Sequence, residues 1–208
     1  VAVAVTRAAE LVFGGAIGTV VQTVGLGPHK QNLKTRPDWF FERERYGGIL
    51  TDIGSHQIDQ FLYFTGATDV EIPHALAENS TMRERPGFQD FGEMVLRSGN
   101  AHGYIRVDWF TPGGLPTWGD GRLFIQGTDG YIELRKYTDI GRPHVANSLF
   151  LVNSEKNDLI PSDDAWRPYF PKLVADIQDR TETAVSQDHT YLTMDLAIRA
   201  QLKAEGAI

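Results

Sequence analysis

Two hairpins in succession constrain this chain more than any other feature. Phe88 to Leu96 and Ala101 to Phe110 are rich in strand-forming residues, and Arg97-Ser-Gly-Asn100 between them has the chemistry of a tight turn. The pattern repeats at once: Arg122 to Gln126 and Tyr131 to Arg135 flank Gly127-Thr-Asp-Gly130. Strands joined by turns this short must lie antiparallel. Three further runs read as strands: Ile17 to Gly27, Val70 to Ala77 (broken or ended near Pro73) and Ser148 to Val152. Helical spacing marks Thr6 to Phe13, stopped by Gly14 and Gly15, and Ile49 to Phe64, stopped at Gly66. It returns in Tyr169 to Arg180 and Gln187 to Ala204. The order predicts an α+β fold: a largely antiparallel, open mixed sheet with helices packed on one face. Pro28 to Arg45, Asn79 to Gly87, Thr111 to Gly121 and Lys136 to Asn147 read as loops, and no linker divides the chain, so residues 1–208 are expected to form one domain.

Composition removes several classes of function. A net charge of −7 argues against a nucleic-acid or anionic-membrane surface, because both need clustered Lys and Arg. The absence of cysteine excludes disulfides, thiolate catalysis and Cys-based zinc sites, and it fits a reducing compartment, with the cytoplasm as default expectation. No apolar run approaches a membrane span, and the apolar start, Val1 to Val5, is too short for a signal peptide.

The chemistry concentrates in Ile49 to Phe64. At roughly 100° per residue, Asp52, His56, Asp59 and Tyr63 fall within an arc of about 60°, away from Leu50, Ile53 and Phe61. Gly54 lies on the apolar face, where it permits another backbone to approach. Asp52 stands one turn before His56, and a carboxylate there would stabilise an imidazolium and fix its tautomer. Spacing alone leaves three readings open. In one the pair serves proton transfer; in another Asp52 merely caps the helix; in the third the two hold a metal together with His29 or His102. No HExxH or carboxylate-rich loop supports the metal reading, and no metal site is expected. Ser55 is in no GxSxG elbow, and Gly14, Gly15 and Gly18, like Gly25 and Gly27, have the wrong spacing for a dinucleotide fingerprint. No cofactor-binding residue is therefore assigned. The basic, aromatic loop after Pro28 offers Lys30, Arg36 and Trp39 as substrate contacts, joined by Trp109 and Trp118; tryptophan faces suit sugar C–H surfaces, but a tryptophan is more often core or interface.

Gly47-Gly48-Ile-Leu-Thr-Asp52-Ile-Gly54-Ser-His56-Gln-Ile-Asp59 resembles the GG-x-L-x-D-x-G-x-H-x-x-D signature of the Gfo/Idh/MocA family. Ala9 to Val20 looks like the entry to that family's C-terminal domain, and Phe124 to Leu134 like its late G-T-x-G hairpin. The resemblance implies the C-terminal domain of an NAD(P)-dependent oxidoreductase, a dehydrogenase acting on a sugar, inositol or related polyol. It implies His56 as general base in oxidation and general acid in reduction, Asp52 orienting His56 or the substrate hydroxyl, and Asp59 in a supporting role. It further implies that NAD or NADP is bound by an N-terminal Rossmann domain of the same polypeptide, and that copies assemble as a homo-oligomer through the sheet face. The Rossmann motifs are not in this sequence, which begins at Val, so the chain is expected to be a fragment, inactive alone and not binding NAD(H). The alternative is a binding or oligomerisation module that keeps the fold without the chemistry.

Overall fold

The computed structural model describes residues 3–142, 145–162 and 168–208. Helix α1 (Val3–Phe13) leads into β1 (Val20–Pro28). Two 3₁₀ turns (Leu33–Thr35 and Asp38–Phe41) and the short α2 (Arg43–Tyr46) precede a π-helical turn, Leu50–Gly54, that runs directly into α3 (Ser55–Thr65). Six of the next seven elements are β2 (Glu71–Glu78), β3 (Phe91–Ser98), β4 (Ala101–Asp108), β5 (Gly121–Gly127), β6 (Gly130–Lys136) and β7 (Ser148–Asn153). The seventh is the short β8 (Asn157–Leu159), followed by α4 (Tyr169–Asp179) and α5 (Gln187–Ala204).

All eight strands form one open sheet in the order β2-β3-β4-β1-β5-β6-β7-β8. Both hairpins form as expected, and each neighbouring pair is antiparallel except β1 with β4, which is parallel. The insertion of β1 between β4 and β5 has a consequence for the loop that joins them. It must step across a whole strand, about 9–10 Å, which no tight turn can do. The loop from Trp109 to Asp120 makes that step and lies over the end of β1, where Lys30 pairs with Phe110 and its backbone N–H donates to the Trp118 carbonyl.

One face of the sheet is buried in register. Met94 lies beside Ile105, Leu123 beside Leu134, Ile125 beside Ile132, and Leu134 beside Leu149, all fully buried. Alternation at period two puts these side chains on one side, where the helices cover them. The first cluster sets α3 and α5 on β3 and β4; the second sets α1 on β5 to β7. The band changes character in β1, whose inward positions are Thr23, Gly25 and Gly27. The opposite face is half-exposed and carries Val24, Leu26, Tyr104, Phe124, Tyr131 and Phe150.

Several boundaries differ from expectation. The apolar start belongs to α1 from Val3, its first turn, while residues 1 and 2 lie outside the described residues. The strand expected from Phe88 begins at Phe91, because Phe88 is instead the buried centre of an aromatic group with Phe40, Phe41, Tyr46 and Trp109. Pro73 does not end β2: it sits at an irregularity in an edge strand, the place where a missing N–H is tolerated. Lys136 is the last residue of β6, not the start of a loop, and residues 143 and 144 of that loop lie outside the described residues. The apolar stripe of α4 is not core, since Phe170, Val174 and Ile177 are exposed. Among the described residues no helix is long and apolar enough to cross a membrane.

Candidate active site

The start of the signature helix is shaped from a distance. Gly47 and Gly48 both take positive φ, 86° and 89°, which turns the chain sharply after α2. The first free N–H groups are then met by two remote amides. Ile49 N–H donates to Gln89 Oε1 at 3.2 Å and Leu50 N–H to Gln201 Oε1 at 3.0 Å. Gln201 in turn donates to Gln89 at 3.0 Å and to Glu205 at 2.7 Å. Gly92 gives this turn room against β3: a Cβ there would lie 2.7 Å from Leu50 Cδ2 and 2.8 Å from Ile49 Cγ2. Gly54 serves a side chain, not a second backbone, since its missing Cβ would meet Met94 Cε at 2.8 Å. Asp52 is therefore not a cap. Its carboxylate accepts no hydrogen bond among the described residues.

The π turn also splits the polar stripe. Wider turns rotate less per residue, so positions before and after Gly54 no longer follow one α-helical wheel. His56 is exposed, and its imidazole makes no hydrogen bond among the described residues; only its backbone carbonyl is engaged, by Gln60 Nε2 at 2.8 Å. Asp52 is half-buried, and burial pushes its pKa up, with the charges of Arg36 and then His56 pulling it back. Asp52 and His56 thus share a field without sharing a bond. Asp59 turns to α5 and meets His189 Nε2 at 2.7 Å, and Tyr63 packs edge-on against Phe13.

A pocket of about 270 Å³ opens beside His56, between α3, the end of β1, the start of β5 and the end of β6. Its walls include His29, His56, Gln57, Gln60, Trp118, Lys136 and Tyr137. His29 Nδ1 donates to the Gly27 carbonyl at 2.9 Å, which leaves Nε2 as an acceptor. Burial is the main cause lowering its pKa, reinforced by His56, Arg36 and Lys136 and opposed by the Gly27 bond. Its ring lies against Trp118 at 4.4 Å and Trp109 at 5.4 Å. Gln57 lies buried in the gap left by the β1 glycines: a Cβ on Gly25 would be 3.0 Å from its Cγ, and one on Gly27 2.6 Å from its Nε2. These glycines, which fit no phosphate loop, make space for α3. Lys136 is buried, and its Nζ donates to Gln60 Oε1 at 2.9 Å. Burial lowers its pKa to about 8. Tyr137 follows at φ 76°, strained for a non-glycine residue, and stacks obliquely on Trp118 at 4.8 Å.

Four of the five expected substrate contacts stand outside this lining. Lys30 reaches the loop carbonyls of Leu115 and Gly113, tying that loop down. Arg36 lies over the rings of Phe40 at 4.3 Å and Trp109 at 4.9 Å and donates to the Gln31 carbonyl. Trp39 is exposed against Phe40. Trp109 is buried behind His29, and its indole N–H has no partner among the described residues. Trp118 does line the pocket. Among the described residues no three metal-ligating side chains come together, and His102 lies elsewhere, beside Asp69 and Arg97. Lys136, Gln57, Gln60 and Tyr137 were missed in the sequence. Lys136 carried a usable signal: it continues the inward parity of Ile132 and Leu134, an unusual place for a lysine.

The sequence profile of the GFO/IDH/MocA C-terminal domain matches residues 5–133. No curated protein matches the chain. Among solved structures, a protein of Erwinia carotovora atroseptica with a provisional oxidoreductase designation is 47% identical, superposes with a TM-score of 0.93, and is matched over 97% of this chain and 60% of its own. An aldose-aldose oxidoreductase of Caulobacter crescentus, complexed with glycerol, is 18% identical with a TM-score of 0.73, over 98% and 59% of the two chains. An oxidoreductase of Agrobacterium radiobacter, in complex with NAD+, L-tartaric acid and magnesium, is 17% identical with a TM-score of 0.76, over 100% and 61%. The chain thus spans about 60% of the length of the structures it matches.

Proposed function

The chain belongs to the GFO/IDH/MocA C-terminal domain family, and from that premise we propose that it is the substrate-binding domain of an NAD(P)-dependent oxidoreductase acting on a secondary alcohol carbon of a sugar or polyol. The observation that carries this reading is the placement of His56, exposed in the wall of a polar pocket with its imidazole unengaged. In that position His56 takes a proton from a substrate hydroxyl during oxidation and returns it during reduction. Asp52 and His56 interact through charge rather than through a hydrogen bond, since none joins them. His29, held in one tautomer by Gly27, and the Gln57 amide, whose Oε1 has no partner among the described residues, give the pocket further hydrogen-bonding groups for hydroxyls.

The described residues contain no strand, glycine-rich turn and helix that would cradle a dinucleotide; the glycines of β1 are filled by Gln57, and the one parallel pair encloses no such unit. A nicotinamide, when bound, supplies hydride acceptance or donation, and we assign its binding to an N-terminal Rossmann domain of the same polypeptide, with residues 1–208 as one substrate-binding and oligomerisation domain. The half-exposed sheet face, with Val24, Leu26, Phe124, Tyr131 and Phe150, supports homo-oligomerisation through that face.

The test is NAD(P)-linked turnover of a panel of aldoses, inositols and acyclic polyols by the full-length polypeptide. Exchange of His56 for Ala is expected to lower turnover by about 10²–10⁴-fold with the circular dichroism spectrum unchanged. Turnover within threefold of wild type removes His56 from proton transfer.

A further inference from the structure

Proton transfer at His56 makes no use of Lys136 in the pocket wall, and the surroundings of this lysine are incomplete. It is 5% exposed. An ammonium has three N–H donors, and among the described residues it makes one hydrogen bond, to Gln60 Oε1, and no ion pair. Gln60 is committed on both sides, since its Nε2 donates to the His56 carbonyl. The cross-strand partner of Lys136 is Gly121, also in the pocket wall, where a Cβ would lie 3.4 Å from Lys136 Cε, so the absent side chain keeps the space over the lysine clear. A buried cation without a counter-ion is costly.

Among the described residues no acid supplies the missing charge. The titratable groups around the pocket are His29 from β1, His56 and Asp59 from α3, and Tyr137 after β6. Asp59 is the only carboxylate among them, and it is drawn to His189 on α5. Arg36 adds a further positive charge that acts on His29.

We propose that Lys136 is the anchor for an anionic group of the substrate, so that the pocket selects a polyhydroxy acid, its carboxylate on the Lys136 ammonium and a hydroxyl at His56. A single ammonium matches a monoanion; a phosphate dianion would call for the additional cations or clustered backbone N–H groups that phosphate sites use. The assignment of a reacting hydroxyl rests on the oxidoreductase reading above, whereas the anion preference does not. The lowered pKa of Lys136 agrees with a charge that lacks its partner in the free protein.

The experiment is calorimetric binding to the intact full-length protein of a panel of aldonates and aldarates, D-gluconate among them, beside the neutral polyol sorbitol and glucose 6-phosphate. Variants are Lys136→Met, which removes the charge and keeps the bulk, and Lys136→Arg. At pH 7 at least one polyhydroxy acid is expected to bind tenfold or more tightly than sorbitol. Lys136→Met should abolish that preference and Lys136→Arg should retain part of it. A readout free of folding defects is the wild-type pH dependence: acid affinity should fall as pH rises through about 8 while sorbitol affinity stays level. Equal binding of acids and sorbitol, or a preference that survives Lys136→Met, overturns the proposal; tightest binding of glucose 6-phosphate overturns the carboxylate assignment. Turnover is scored separately. Lys136-dependent acid binding without NAD(P)-linked turnover sinks the redox reading and sustains this one. NAD(P)-linked turnover with no Lys136-dependent preference for acids does the reverse.

Discussion

Gly47 and Gly48 share one backbone conformation and differ in what faces them, so replacing each by alanine separates strain from collision. At φ 86° and 89° an alanine costs about 1–2 kcal/mol at either position. The Gly47→Ala methyl meets only Thr51, at 3.6 Å, an ordinary contact. The Gly48→Ala methyl would lie 2.3 Å from both Cδ and Oε1 of Gln201, which is 1% exposed and has nowhere to go. Moving that amide unmakes its bond with Leu50 N–H and orphans a buried donor, a loss of about 1–3 kcal/mol. Gly47→Ala should therefore destabilise by about 1–2 kcal/mol, and Gly48→Ala by about 2–5 kcal/mol. The difference corresponds to about 2–12 °C in Tm for a domain of this size. Urea denaturation followed by circular dichroism reads both, and in a Gln201→Ala background the Gly48 penalty should shrink to that of Gly47. Equal penalties in the wild-type background, or a Gly48 penalty untouched by Gln201→Ala, would refute the claim that a remote amide sets the start of the signature helix.

Other expectations follow from the same contacts. Gly25→Ala and Gly27→Ala should each cost about 1–3 kcal/mol by forcing Gln57 out of its slot, measurable by chemical denaturation. Lys136 binds its proton less tightly when folded, at about 8 against an ordinary 10.5, so the unfolded chain holds more protons between those values. Stability should then rise from pH 8 towards pH 10, by up to about 3 kcal/mol, and Lys136→Met should flatten that rise. Above pH 10 the sign reverses for Tyr46, whose pKa burial raises, so that stability is lost as the unfolded phenol ionises. Phe124→Asp, on the half-exposed sheet face, should shift an oligomer towards monomer in light scattering, with no change in mass if copies do not pair there.

The architecture was legible because its signals are local. Turn residues at 97–100 and 127–130 declare the hairpins, and alternation in β5 and β6 declares the buried face. The place of β1 was not, because pairing with β4 and β5 joins segments far apart in sequence. The same distance hid the real caps of the signature helix, supplied from residues 40 and 151 positions downstream of those they satisfy. A helical wheel assumed a uniform period and so put Asp52, His56 and Asp59 on one stripe, where the π turn and His189 separate them. Trp109 and Arg36 illustrate a composition trap: aromatic and basic residues after Pro28 suggested a ligand surface but largely pack on each other and on Phe40. Lys136 could have been found by parity alone, at the inward end of a strand of buried aliphatics.

The central claim is that His56 moves the substrate proton, and the pH dependence of kcat/KM for alcohol oxidation by the full-length protein tests it most directly. With wild type, the rate should fall on the acid side as the base takes up its proton. With His56→Ala, that limb should vanish together with most of the activity. An acid limb that persists in His56→Ala, with turnover close to wild type, would contradict the account and move the base to another group in the pocket.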